Sequence, residues 1–196
     1  MKSIFKRPLF VFAAVLVWLA ILSIVLAGFV SCNSSKDESK TQAEDANEQK
    51  FDKAAEKDAQ FVVDQVAGNY AEVKLAQLAQ QKSTNTEIKS IAAMLESDHT
   101  AVLNDLKSFA TKKNISIPAE ESQDAKDKIQ KLNEEQVAAF DKKWCDELMA
   151  KHEKGIKTYE DASTNLEDPE LKSWAANLVP KLKMHHEKLE ACHKKL

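Results

Sequence analysis

The stretch Leu171–Leu196, LKSWAANLVPKLKMHHEKLEACHKKL, places Leu171, Ala175, Leu178, Leu182, His185, Leu189, Cys192 and Leu196 at alternating four- and three-residue steps. That spacing draws one continuous stripe along a helix whose apolar face packs in a helical bundle. Two members of the stripe, His185 and Cys192, are not hydrocarbon and lie one heptad apart. An imidazole on a buried face needs a hydrogen-bond partner or a metal ion, because an unpaired polar group out of water is costly. What His185 faces is therefore the first functional question.

The same periodicity recurs upstream. A first helix is expected from Phe51 to about Lys82, with Phe61, Gly68, Glu72, Leu75 and Ala79 on one face. Thr84-Asn85-Thr86-Glu87 has the T-x-x-E spacing of a capping box and opens a second helix. Its stripe is Ile88, Ile91, Leu95, His99, Val102, Leu106 and Phe109. Asn114–Pro118 breaks the pattern. A third helix, beginning within Glu121–Asp127, carries Val137, Phe140, Trp144, Leu148, His152, Ile156 and Tyr159. Asp168-Pro169-Glu170 starts the fourth, with aspartate at the N-cap and proline at the first helical position. Pro180 removes one backbone donor inside it and predicts a kink. Ser83-Thr84-Asn85 returns as Ser163-Thr164-Asn165, and Glu87-Ile88-Lys89-Ser90 as Glu170-Leu171-Lys172-Ser173, which suggests two related hairpins.

Composition agrees with an all-helical protein. Gly 3 and Pro 4 in 196 residues leave few breakers, and 30% charged residues suit solvated helix faces. The formal net charge is -3, and removing the three basic residues of the first 32 leaves -6. A mildly acidic domain without a basic stripe excludes a nucleic-acid partner. No phosphate-binding glycine loop, GxSxG elbow, activated nucleophile or acid–base pair is legible, so an enzyme is the less supported class.

The N-terminus reads as a targeting segment. Lys2, Lys6 and Arg7 precede the uncharged run Leu9–Val30, and Gly28-Phe29-Val30-Ser31-Cys32 follows the pattern of a lipoprotein cleavage site. Residues 1–32 are then a signal peptide, and Cys32 the lipidated first residue of a bacterial lipoprotein. The other reading is an uncleaved membrane helix, since 22 apolar residues can span a bilayer. Both put the domain outside the cytoplasm in a bacterial cell envelope, periplasmic or surface-exposed, with the membrane as partner. Residues 33–50 are polar and aperiodic and are expected to form a disordered tether, leaving 51–196 as the folded domain. Ser35-Lys36-Asp37-Glu38 resembles the acidic signals of some surface lipoproteins, or is simply solvated linker.

An up-down-up-down arrangement, at about 1.5 Å rise per residue, brings Glu72, His99, His152 and His185 within about two turns of one level, one from each helix. In the last antiparallel pair, His152 stands level with His185 and Cys145 with Cys192. Three imidazoles and one carboxylate suit one transition metal ion, Zn, Cu or Fe. Asp98 would support the imidazoles from outside. The alternative is a hydrogen-bond network in a structural or interaction lipoprotein. Glu96-x-x-His99 has the spacing of di-metal carboxylate bundles, which makes Glu96 a further candidate, but the remaining glutamates of that pattern are absent. Cys145 and Cys192 are open to three readings: a disulfide, buried free thiols or metal ligands.

Gly68 with Ala71-Glu72-Val73-x-Leu75, Asp98-His99-Thr100, Phe140-Asp141-Lys142 with His152, and Pro180-x-x-Lys183-Met184-His185 together resemble the family described as domain of unknown function 4142, over about Phe51–Ala191. The resemblance implies a ferritin-like four-helix bundle, an exported or outer-membrane protein, and Glu72, Asp98, His99, His152 and His185 as positions of interest.

Overall fold

The computed structural model describes residues 37–196, so the leader and Cys32 lie outside the described residues. Six helices follow in order: α1 (Glu38–Glu48), α2 (Lys53–Lys82), α3 (Thr86–Lys113), α4 (Gln123–Glu134), α5 (Val137–Asn165) and α6 (Pro169–His193). Three of the four long helices start on a side-chain cap, while α5 starts after Gln136 without one. The Asp52 carboxylate accepts from the backbone N–H groups of Ala54 and Ala55, Asn85 from Glu87 and Ile88, and Asp168 from Glu170 and Leu171. The cap of α3 is thus Asn85 rather than the expected Thr84. Its other end closes on Asn114 in the left-handed conformation, φ 56°. Helix α6 runs unbroken through Pro180.

The all-α class holds, but the expected ferritin-like up-down-up-down four-helix bundle does not: among the described residues the fold has six helices. Two departures have identifiable causes. The expected third helix is cut at Glu135–Gln136, where extended backbone separates α4 from α5. The Ser122 hydroxyl caps α4, and Leu132 is its buried anchor. The segment expected to be a tether is helical over Glu38–Glu48. Its composition has little to bury, but polar contacts to distant backbone hold it. The Asn47 amide donates to the Ser116 carbonyl at 2.8 Å and accepts from the Ser116 N–H at 2.7 Å, and Lys50 Nζ donates to Ser116 Oγ at 2.7 Å.

Helices α2 and α3 form one extensive hairpin and α5 and α6 another; α2 meets α5 and α3 meets α6 across the seam between them. Asp58 pins the turn of the second hairpin to α2. Its buried carboxylate accepts from the N–H groups of Glu167 at 2.9 Å and Asp168 at 2.7 Å. Asp58→Ala leaves both donors without a partner at the start of α6. The expected cost is about 2–3 kcal/mol, a fall in melting midpoint of roughly 4–12 °C for a domain of this size; an unchanged thermal melt would refute the role.

The core is in two parts. One apolar cluster contains Leu75, Ile88, Leu95, Phe140, Trp144, Leu148 and Leu189, the other Phe61, Val66, Val102, Leu106, Tyr159, Leu171 and Leu182. On all four long helices the residues between these clusters include a buried polar one: Glu72, His99, His152 and His185. A polar layer therefore divides the hydrophobic interior. Among the described residues no helix is long and apolar enough to cross a membrane.

Candidate metal centre

His99 on α3, His152 on α5 and His185 on α6 are 5%, 2% and 1% exposed. Their ring centroids form a near-equilateral triangle, 5.4 Å for His99–His152, 5.5 Å for His99–His185 and 5.3 Å for His152–His185. One nitrogen from each ring lies within 4.8 Å of the others. Helical spacing explains the convergence. Each histidine sits on its helix's inward stripe, and the antiparallel α5–α6 pairing sets His152 opposite His185.

Each imidazole spends one nitrogen on an oxygen acceptor. His152 Nδ1 is 2.9 Å from the Leu148 carbonyl, which can only accept, so that nitrogen carries the proton. His185 Nε2 donates to Asp98 Oδ2 at 2.9 Å. Partial burial alone would raise the Asp98 carboxyl, but hydrogen bonds from Lys181 Nζ at 2.8 Å and from His185 hold it below the usual range, as an ionised acceptor. His99 Nδ1 donates to Asn69 Oδ1 at 2.8 Å, and the Asn69 amide is oriented by donating from Nδ2 to the Gln65 carbonyl at 2.7 Å.

The remaining nitrogens are consequently His99 Nε2, His152 Nε2 and His185 Nδ1. Nε2 of His152 and Nδ1 of His185 face each other at 3.3 Å, lone pair against lone pair unless a cation intervenes. His99 Nε2 is buried with no hydrogen-bond partner. Burial pushes His99 down to about 4, against the opposing pull of Glu72. Burial likewise lowers His185, although its bond to Asp98 opposes it. An imidazole with one nitrogen oriented by an oxygen and the other left bare is the state in which histidine ligates a metal.

Glu72 of α2 is beside the triad but outside the set of mutually close donor atoms. Its Oε2 is buried and unpartnered, and its Oε1 lies 3.9 Å from Lys151 Nζ. Burial would raise this carboxyl; the electrostatic influence of its neighbours, the His99 and His152 rings and the Lys151 ammonium, opposes burial and holds it below the ordinary value. A cleft of about 340 Å³ opens beside these groups, with Glu72, His99 and His152 in its wall. Glu96 is engaged elsewhere, accepting from the Gln77 and Gln80 amides at 2.8 and 2.6 Å. Cys145 and Cys192 are free and buried in the first apolar cluster, apart from the triad. Burial pushes the Cys145 thiol up to about 12, which keeps it protonated and a poor ligand. Asn69, Lys151 and Lys181 were not singled out in the sequence; Asn69, one turn before Glu72 on the same inward face, was the only one with a positional signal.

The family model for Domain of unknown function (DUF4142) matches residues 40–192. The chain belongs to this family. No curated protein sequence shows significant similarity to it. Among solved structures it is similar in fold to CopM in the Cu(I)-bound form and to CopM in the Cu(II)-bound form. Each comparison has a TM-score of 0.59 at 17% identity and covers 70% of this chain and 96% of the other.

Proposed function

We propose that this DUF4142 protein binds one transition metal ion inside its helical domain through His99, His152 and His185, with Glu72 beside the site and Asp98 and Asn69 orienting the rings. The observation that carries the reading is the convergence of three bare imidazole nitrogens, one of them, His99 Nε2, having no other partner. Three neutral nitrogen donors suit Zn, Cu and Fe, and Cu(II) binds such sites most tightly in the divalent series. CopM, of similar fold, is known in two copper-bound forms, which makes copper the first ion to test. The basic, apolar leader ending at Cys32 supports a place in the bacterial envelope, outside the cytoplasm and held to the membrane by lipid or by an uncleaved helix. The ion's contribution would be its charge and Lewis acidity at the seam between the hairpins; the chain's own contribution is to bury and orient the three nitrogens.

The competing reading is a structural lipoprotein whose histidines form a hydrogen-bond network. The 3.3 Å contact between His152 and His185 favours it, because one shared proton would satisfy both nitrogens. It leaves His99 Nε2 and Glu72 Oε2 unexplained. Titration of tag-free, metal-stripped protein with Cu(II), Zn(II) and Fe(II) separates the two. Metal binding predicts uptake saturating at one ion per chain and a melting midpoint that rises with free metal, by the equivalent of about 2.7 kcal/mol at a hundred times Kd. No saturable uptake and an unshifted melt would leave the network reading standing.

A further inference from the structure

The sequence has Gly 3, at positions 28, 68 and 155. Both glycines of the described residues, Gly68 on α2 and Gly155 on α5, line the cleft beside the histidines. Neither has a positive φ, so the backbone does not require glycine at either place. Neither is excluded by crowding: a Cβ at Gly68 meets nothing within 4 Å, and one at Gly155 only Leu182 Cδ1 at 4.0 Å. Glycine inside a helix is about 0.5–1 kcal/mol worse than alanine. At both positions, therefore, helix stability is forgone and the result is open space between α2 and α5. That space is bordered by two unpartnered, buried polar atoms, each presenting a lone pair. His99 Nε2 offers a lone pair to a metal ion, and Glu72 Oε2 accepts a hydrogen bond.

We propose that the Gly68–Gly155 cleft admits a small protic ligand, carrying one donor lone pair and one N–H or O–H group, that completes the coordination of the metal on the histidine triad and donates a hydrogen bond to Glu72. This inference rests on the metal-binding reading above. Three histidines leave a position open on a tetrahedral or larger coordination sphere. An incoming group there must coexist with a buried carboxylate oxygen that has no hydrogen-bond partner. A neutral N–H or O–H ligand satisfies the carboxylate, whereas an aprotic one leaves Glu72 Oε2 buried and unpaired. Lys151, also in the cleft wall, lies 3.9 Å from the other oxygen of Glu72.

Imidazole added to Cu(II)-loaded, tag-free protein is the probe, read by the visible d–d band and by nitrogen superhyperfine structure in electron paramagnetic resonance. The expected result is a saturable spectral shift with a fourth coordinated nitrogen. Gly68→Leu and Gly155→Leu, which fill the cleft from opposite walls, should retain Cu(II) and lower imidazole affinity at least tenfold. The aprotic analogue 1-methylimidazole should bind about tenfold more weakly than imidazole to the wild type, and the difference should vanish in Glu72→Ala. Copper uptake with no imidazole response, or an unchanged response in a folded glycine variant, overturns this inference alone. Equal affinity for the two imidazoles in the wild type overturns the assignment to Glu72 and with it the ligand class. Failure of the wild type to take up metal overturns the functional reading and this inference together.

Discussion

His152→Ala is expected to lower metal affinity by more than about 100-fold, beyond the roughly 10–100-fold typical of losing an outer hydrogen-bond partner. The reason is positional. His152 is 2% exposed, its Nδ1 is held by the Leu148 carbonyl at 2.9 Å, and its Nε2 is the nitrogen nearest His185. Its removal leaves two nitrogens and a void where the third stood. Asn69→Ala and Asp98→Ala should show the smaller loss, since each frees a ring to rotate without deleting a donor. Cys145→Ser, in the apolar cluster, should leave affinity unchanged. Isothermal titration of the metal-stripped proteins gives the ranking. Wild-type affinity in His152→Ala would mean that the ion, if any, binds elsewhere.

Metal-free protein should lose about 3 kcal/mol of stability between pH 7 and pH 4 through His99 alone. The folded-state value of His99 is about 4, against an ordinary value of 6.5, because burial penalises its charge. In the window between those values the unfolded chain holds a proton on this residue and the folded chain does not. Stability contributed by His99 is thus complete above about 6.5, declines as the pH falls through the window, and levels off below about 4. His185, also lowered by burial, acts in the same direction. The Glu72 and Asp98 carboxyls, held below their ordinary values, extend the loss toward more acid pH. Urea denaturation at pH 7, 5.5 and 4 measures the slope. His99→Gln should flatten it between pH 6.5 and 4.5; an identical slope in that variant would show that His99 carries no depressed titration.

Much of this molecule is written in local pattern. The stripes through Leu95–His99–Val102 and Leu182–His185–Leu189 place an imidazole among aliphatic side chains on each helix, and burial there follows from helical period alone. The aspartate-proline start of α6 is likewise a property of three adjacent residues. The helix count was not legible in the same way. Residues 38–48 lack an apolar face, and their order comes from Asn47 and Lys50 reaching Ser116, 66–69 residues along the chain. The cut before α5 is similar. The helical period runs on across residues 135–136, while the backbone turns extended there.

At the site, sequence pattern determined which four polar residues go inside and on which helices, because hydrophobic periodicity is a one-dimensional signal. Only the tertiary structure decided that three of them meet nitrogen to nitrogen while Glu72 stands aside. It also decided that Glu96 turns to Gln77 and Gln80. Ring orientation depends on which acceptor each Nδ1 or Nε2 finds, and those acceptors are the Asn69 amide, the Leu148 carbonyl and the Asp98 carboxylate. Two of the three come from another helix, and the third is a backbone carbonyl one turn back on the same helix. Hydrogen bonds act over about 3 Å and at defined angles, so they are settled by how the hairpins pack and not by the spacing of residues along either one.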